Sequence, residues 1–399
     1  MSEPITCIED LRALAQRRIP RMFYDYVDSG SYTESTYRAN AIDLRQIKLR
    51  QRVGIGLEAR NLKTTMAGYP VAMPVALAPT GLAGMMRGDG EILAARAARS
   101  FGVPFTLSTM SICSIEDVSE HAPGPFWFQL YVMRDRAFIE RLIERAATAG
   151  CPALVVTLDL PVGGQRHKDV KNGLSTPPRM TLANLVDMAG KPGWSWSIAR
   201  ARRRHFGNIV GHVKGVEDMS SLASWVKDQF DPAVTWADVE WIRKRWNGKL
   251  ILKGILDPHD ARHAVCAGAD AIVVSNHGGR QLDSAVSTVQ ALPAIVDAVG
   301  KRLEVWLDGG ITTGQDVLKA VAMGARGTMI GRAFLYGLAA AGEKGVRRSL
   351  EIIAAELDTT MALCGCTDIA SAGPGILAAS PAGVDSRKLA PWRFADAYV

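Results

Sequence analysis

The sequence contains no C-x-x-C pair. Its six cysteines (Cys7, Cys113, Cys151, Cys266, Cys364 and Cys366) are scattered, and only the last two stand close together. That spacing excludes a disulfide framework and argues against a zinc site, and the lack of C-x-x-C-H excludes a built-in cytochrome. No secretory signal is read at the start, because MSEPITCIEDLRALAQRR mixes acids and bases without a long apolar core. The uncharged stretch Thr64 to Met86 has the length of a membrane span. Pro70, Pro74, Pro79 and three glycines interrupt it, and lipid cannot satisfy a broken backbone. The expectation is a cytosolic protein, or one lying on a membrane surface. Compositional extremes are also missing: 48% hydrophobic and 22% charged residues exclude long disorder, collagen and coiled coil. What is present is an excess of bases, 47 Lys and Arg against 40 Asp and Glu. The resulting charge of +7 admits an anionic partner: nucleic acid, a membrane surface or an acidic substrate.

From about residue 70 the chain becomes regular. Short apolar runs rich in β-branched residues recur at 75–79, 105–108, 126–132, 153–159, 250–255, 271–276, 304–310 and 327–332. Longer amphipathic stretches follow them at 89–100, 114–121, 135–149, 236–246, 258–267, 287–298 and 314–324, with a last one from Phe334. Thr235 with Asp238, and Thr313 with Asp316, fit helix N-termini. Apolar strands alternating with helices imply a parallel sheet buried on both faces, and eight such units imply an α/β fold of the (β/α)8 barrel type. A doubly wound sheet is the alternative, but it lacks G-x-G-x-x-G after its first strand. Three segments lie outside the repeat. Residues 1–70 form an N-terminal extension with a helix over 8–18. Residues 160–234 form an insert after the fourth strand, with a helical patch near 181–188. Residues 371–399 read as an irregular tail, leaving 71–370 as the barrel. An insert of that length points to function.

Catalytic groups in such barrels sit at the C-terminal ends of strands. Here those ends are polar: Gln129-Leu-Tyr131, Thr157-Leu-Asp159, Lys253, Ser275-Asn-His277-Gly-Gly-Arg280, Asp308-Gly309-Gly310 and Gly331-Arg332. Taken singly, Asp159 could be a helix cap, Tyr131 a strand aromatic and Arg166 a solvated surface residue. Six strands placing polar groups at one rim are harder to read that way. The glycine turns after the seventh and eighth runs let backbone N–H groups approach an anion, helped by helix starts and by Arg332, which suits a phosphorylated cofactor.

The run Ser275-Asn-His277-Gly-Gly-Arg280-Gln-Leu-Asp283 resembles the signature of the FMN-dependent α-hydroxy-acid dehydrogenase and oxidase family. The likeness extends from about residue 8 to 366 through Tyr24-Asp-Tyr26, Ala78-Pro79-Thr80, Leu107-Ser108-Thr109, Trp127-Phe-Gln129-Leu-Tyr131, Lys253-Gly254 and Ile330-Gly331-Arg332. Gly30-Ser-Tyr32, Leu49-Arg-Gln-Arg52 and Phe230-Asp-Pro232 are similar to the bacterial quinone-linked L-lactate dehydrogenase branch, with mandelate dehydrogenases almost as similar. The resemblance implies that His277 is the base and Asp159 orients it. It implies that Arg280, Arg166 and Tyr26 hold the substrate carboxylate, and that Tyr131 bonds the hydroxyl. Lys253 is expected beside the flavin N1. Pro79, Thr80, Gly81, Ser108, Gln129, Thr157, Ser275, Asp308, Gly309, Gly310, Gly331 and Arg332 are expected around FMN. Gly81 and Met110 are expected near the substrate side chain. No metal is implied, and relatives are often tetramers.

One position departs from the pattern. Relatives usually carry arginine two residues after the glycine pair, at the FMN phosphate, where this chain has Thr312. Losing a charge-assisted bond costs about 1.5–3 kcal/mol, roughly tenfold or more in affinity. Lys319 and Arg326 are the nearest cations in sequence.

Residues 190–214 hold six Lys or Arg, no acid, two Trp, and Phe206, Ile209, Val210 and Val213 at helical spacing. They read as an interfacial segment that would dock a peripheral enzyme on the cytoplasmic side of the inner membrane and give access to a quinone. The other reading is a solvated basic loop folded over the active site. Three functions are therefore weighed: a membrane-peripheral 2-hydroxy-acid dehydrogenase, a soluble oxidase making peroxide, and a basic nucleic-acid module. The set His277, Asp159, Arg280 and Lys253 counts against the last, and no nucleic-acid fold is recognised.

Overall fold

The computed structural model describes residues 4–174, 180–213, 225 and 229–378. Pro177-Pro178, Lys214, part of the insert and the tail beyond 378 lie outside the described residues.

Eight parallel strands form one sheet: β1 (Val75–Leu77), β2 (Thr106–Ser108), β3 (Trp127–Tyr131), β4 (Ala153–Thr157), β5 (Lys249–Ile255), β6 (Ala271–Val274), β7 (Glu304–Leu307) and β8 (Gly327–Ile330). From β2 to β8 each strand pairs with its sequence neighbour, and β8 pairs with β1. A parallel bridge between Leu77 and Phe105, with Leu77 N–H donating to Pro104 O, closes the ring between β1 and β2. The structure is thus the expected (β/α)8 barrel. Every predicted run holds a strand, although the observed strands stop up to three residues earlier. The polar residues that end each run leave the ladder to form the rim.

Successive side chains alternate between two environments. Ala76, Trp127, Val155, Ile251, Val273, Trp306 and Met329 fill the lumen, while Val75, Leu77, Phe128, Leu154, Leu252 and Ile272 pack against the helices. Trp127 and Trp306 stack across the lumen with centroids 5.2 Å apart. Such pairs contribute about 0.5–1.5 kcal/mol beyond their buried area. A two-stranded antiparallel hairpin, Thr64–Met66 with Tyr69–Val71, carries Met66 and Val71 into the same lumen cluster. The N-cap signals work as read. Asp316 accepts from Thr313 N–H at 3.0 Å and Thr313 Oγ1 accepts from Asp316 N–H at 3.1 Å.

The N-terminal segment supports the rim. Its helix Ile8–Arg18 buries Ile8, Leu11 and Ala15 and packs on the helix Arg332–Ala341. Helix Ser35–Gln46 lies on the turn after β7, where a side chain at Gly310 would come 2.6 Å from Asn40 O. That contact and its φ of +84° restrict position 310 to glycine.

The insert differs from its sequence reading. Ile209 is buried, and Phe206, Val210 and Val213 pack on the core. Trp194 is also buried, donating its indole N–H to Met85 O at 2.8 Å. The apolar set of 190–214 therefore faces inward, with Trp194 against Phe23 at 5.4 Å between ring centroids. Only Trp196 of the two tryptophans stands in solvent, 65% exposed. The exposed apolar face lies earlier, on helix Leu182–Ala189: Leu182, Leu185 and Val186 follow i, i+3, i+4, and Met180 adjoins them.

Candidate active site

A cavity of about 1320 Å³ opens at the C-terminal rim of the barrel. His277 projects into it from the turn after β6. Its backbone has φ +57°, and Gly278 and Gly279 continue the left-handed path at +65° and +74°. A histidine held there costs about 1–3 kcal/mol, which the surrounding contacts must offset. Two of these contacts are evident. His277 N–H donates to Ser275 Oγ at 3.1 Å, and its Nδ1 lies 2.8 Å from Asp159 Oδ1. Nε2 is left as the ring nitrogen free to act. The Asp159 carboxylate is buried, which by itself would raise its pKa. The charges of His277 and Lys253 outweigh that and hold it below the usual range. Gly254, at φ +102° in the irregularity of β5, permits this packing, since a side chain there would meet Asp159 Cβ at 2.6 Å.

Lys253 sits in the floor. Its Nζ donates to Ser275 Oγ at 2.8 Å and pairs with Asp308 Oδ2 at 2.8 Å. Burial pulls its pKa down, but Asp308 and Asp159 reverse this and raise it, so the ammonium is a fixed charge. Ser108 Oγ donates to Gln129 Oε1 at 3.0 Å.

Two arginines converge on Tyr26. The guanidinium of Arg280 stands 4.7 Å and that of Arg166 5.8 Å from its ring centroid. Arg280 donates to Tyr26 O at 2.5 Å, and Arg166 pairs with Asp169 at 2.7 Å. Burial first, then the like charge of Arg166, lowers the pKa of Arg280 to about 10. Two adjacent half-buried cations share one carboxylate, which leaves positive charge to receive an anion. Tyr131 ends β3 against Phe230, and burial followed by the charge of Asp159 pushes its phenol up, so it stays a neutral donor.

The residues fit FMN. Gln129 Nε2, Thr157 Oγ1 and Asp308 Oδ1 are buried without hydrogen-bond partners among the described residues, as floor groups that bond a polar ring system would be. Pro79, Thr80, Gly81, Gly309, Gly310, Gly331 and Arg332 line the cavity. A side chain at Gly331 would find its nearest neighbour only at 3.9 Å, so this turn is open. The helix it begins has no side-chain cap, which leaves its first amides available to a phosphate.

Several groups at this end of the cavity already have partners. The helix start after β7 is already occupied: Thr312 and Thr313 N–H donate to Asp316, and Gly314 N–H donates to Glu356 at 2.8 Å. Lys319 is buried, donating to Leu44 O, and Arg326 is at the opposite end of β8, bonded to Thr65. Arg332 gives Nε and Nη2 to the carbonyls of Val27, Ser29 and Gly278, keeping only Nη1 without a hydrogen bond among the described residues.

Sequence reasoning also missed several groups. Asp169 partners Arg166. Gln281 Nε2 bonds Asp159 O at 3.0 Å and Val162 O at 2.8 Å, fixing the chain after β4. Asp283 accepts from Thr33, Ser35 and Thr36, tying the N-terminal segment to the His277 loop. Leu160, Phe206 and Phe230 of the insert line the cavity. Gln281 and Asp283 had a sequence signal as members of the signature run, and Phe206 and Phe230 stood in segments noted for other reasons; Asp169 and Leu160 are brought in by the insert's return path.

The matching family model is FMN-dependent dehydrogenase, over residues 15–379. The chain is 47% identical over 375 residues to an L-lactate dehydrogenase of Caulobacter vibrioides (strain NA1000 / CB15N), covering 94% of this chain and 98% of that one. An L-lactate dehydrogenase of Stenotrophomonas maltophilia (strain K279a) is 48% identical over 381 residues, covering 94% and 100%. Among solved structures, an (S)-mandelate dehydrogenase described as a monotopic membrane protein superposes with a TM-score of 0.90 at 35% identity, covering 94% of this chain and all of that one. The barrel, its rim and these matches agree: the chain belongs to the FMN-dependent dehydrogenase family.

Proposed function

We propose that this protein oxidises a small L-2-hydroxy acid, L-lactate to pyruvate in the first instance, and passes the electrons to a membrane quinone. The observation that carries this reading is one cavity holding both a His–Asp pair and a two-arginine anion site. The substrate carboxylate would sit between Arg280 and Arg166, with the Tyr26 hydroxyl as a further donor. A guanidinium fork matches a carboxylate bidentately. Tyr131 would donate to the α-oxygen. His277 Nε2 would accept a proton, and Asp159 would stabilise the imidazolium through Nδ1. FMN, when bound, supplies the acceptor for two electrons. Pro79–Gly81, Ser108, Gln129, Thr157, Lys253, Ser275, Asp308–Gly310 and Gly331–Arg332 would hold it, with Lys253 supplying positive charge at the floor.

The apolar face Met180, Leu182, Leu185 and Val186, with Trp196, supports docking on a lipid surface, flanked by Lys191, Arg200 and Arg202. No helix among the described residues is long and apolar enough to cross a membrane. The proposal is a peripheral enzyme, placed on the cytoplasmic side of the inner membrane and assembled as a tetramer by its resemblance to the family.

One observation favours a second substrate. Met110, Ile112, Phe206 and Phe230 give the cavity an apolar wall that an aryl or longer side chain would fill. Anaerobic bleaching of the flavin absorbance by L-lactate, D-lactate and (S)-mandelate decides between them. Fastest bleaching by L-lactate is expected, and none by any 2-hydroxy acid would overturn the function. Reoxidation by a soluble quinone without stoichiometric peroxide is expected; stoichiometric peroxide in air would establish an oxidase.

A further inference from the structure

The end of the cavity near Gly309 and Gly310 has an acidic rim. Asp316 and Glu356 occupy the amides of residues 312–314, and Thr312 adds a hydroxyl whose Oγ1 turns to Asp316 at 3.4 Å. A phosphate dianion placed there would meet two carboxylates, so a cation is required. Helix Ser35–Gln46 lies directly over this turn, its Asn40 carbonyl against Gly310. Arg38, Ala41, Ile42 and Arg45 recur at i, i+3, i+4 and i+7, and all four line the cavity.

The other cations lining this part of the cavity have commitments. Arg12 pairs with Asp28 at 2.8 Å and with Glu9. Arg38 donates to Thr33 O at 2.7 Å and stands 4.0 Å from Glu34. Arg332 spends two of its three nitrogens on backbone carbonyls. Arg45 has no side-chain hydrogen bond or ion pair among the described residues. It stands one turn beyond Ala41, whose amide lies against Gly310, and it lines the same cavity as Gly309, Gly310 and Thr312.

We propose that Arg45 is the cation that closes on the FMN phosphate, together with Arg332 Nη1 and the open amides after Gly331. The charge absent at position 312 would then be supplied from a different element, the N-terminal helical segment. This assignment rests on FMN as the cofactor and goes beyond it by naming the residue that selects the phosphorylated flavin.

The test removes the flavin from the purified protein and titrates it back with FMN or with riboflavin, which lacks the phosphate, following flavin fluorescence. In Arg45→Ala, FMN affinity is expected to fall about tenfold or more while riboflavin affinity stays unchanged. Arg45→Lys should keep much of the FMN preference, and Thr312→Arg added to Arg45→Ala should restore it. Equal losses for both flavins, or no loss for FMN, would overturn the proposal. Because Arg45 is exposed on its helix, folding is not at stake, and an unchanged melting temperature of the flavin-free variant checks this. A wild-type chain that bound neither flavin would overturn the cofactor reading and this proposal together.

Discussion

His277 Nδ1 lies 2.8 Å from Asp159 Oδ1, across two strand ends that are 118 residues apart in sequence. The pair fixes which ring nitrogen is occupied and which faces the cavity. Asp159→Asn removes the charge that stabilises the imidazolium while keeping the shape. A fall in kcat/KM of about 10²–10⁴-fold is expected, the range of a general-base contribution. The visible flavin spectrum should stay unchanged, so steady-state kinetics beside an absorbance scan checks this.

Arg280 and Arg166 flank one tyrosine ring, and Arg166 pairs with Asp169. Arg280→Lys keeps the charge but loses the fork, and Arg166→Met removes one cation. Each should lower kcat/KM by about 10–100-fold, corresponding to a charged hydrogen bond of about 1.5–3 kcal/mol. Sulfite or oxalate, anions that need the same positive field, should bind more weakly to Arg166→Met in spectral titrations.

Lys253 and Asp308 are both buried, at 2.8 Å. Lys253→Met leaves Asp308 without its counter-ion. Loss of a partner in a buried pair costs about 3–5 kcal/mol, so the urea midpoint should drop markedly. The flavin reduction potential should also move to more negative values, because a positive charge near the ring is gone. A potential equal to wild type would refute the placement of Lys253 beside the flavin.

Asp283 has a pKa held low. Burial opposes this, but the hydroxyls and amides of Thr33, Ser35 and Thr36 win. A carboxylate depressed in the folded state adds stability above its unfolded pKa of about 3.9, and that stability is lost as pH falls through the folded value. Asp283→Asn should therefore lower the melting temperature at pH 7, and the gap from wild type should shrink below about pH 4. Calorimetry at the two pH values reads the difference directly.

Leu182→Glu combined with Val186→Glu places charge on the exposed apolar face. Release from anionic vesicles, with dye-linked turnover retained, is expected in a flotation assay. Unchanged flotation would return the docking role to the basic stretch Arg200–Arg204.

The sequence by itself determined the barrel. Each strand is a local apolar run ended by polar residues, and strand period and helix caps are short-range properties readable from neighbours. The strand-end residues were legible for the same reason: a barrel brings all eight ends to one rim, so His277, Asp159 and Lys253 could be placed together without knowing any distance. The tertiary structure alone decided the rest. Which apolar residues of the insert face solvent depended on what the chain folds back onto. Ile209 and Trp194 went inward, and Leu182, Leu185 and Val186 stayed out. The phosphate end depended on a helix some 270 residues away in sequence from the turn it covers, Asn40 against Gly310. No local pattern encodes such a contact, because it is set by how the N-terminal helices pack on the finished barrel.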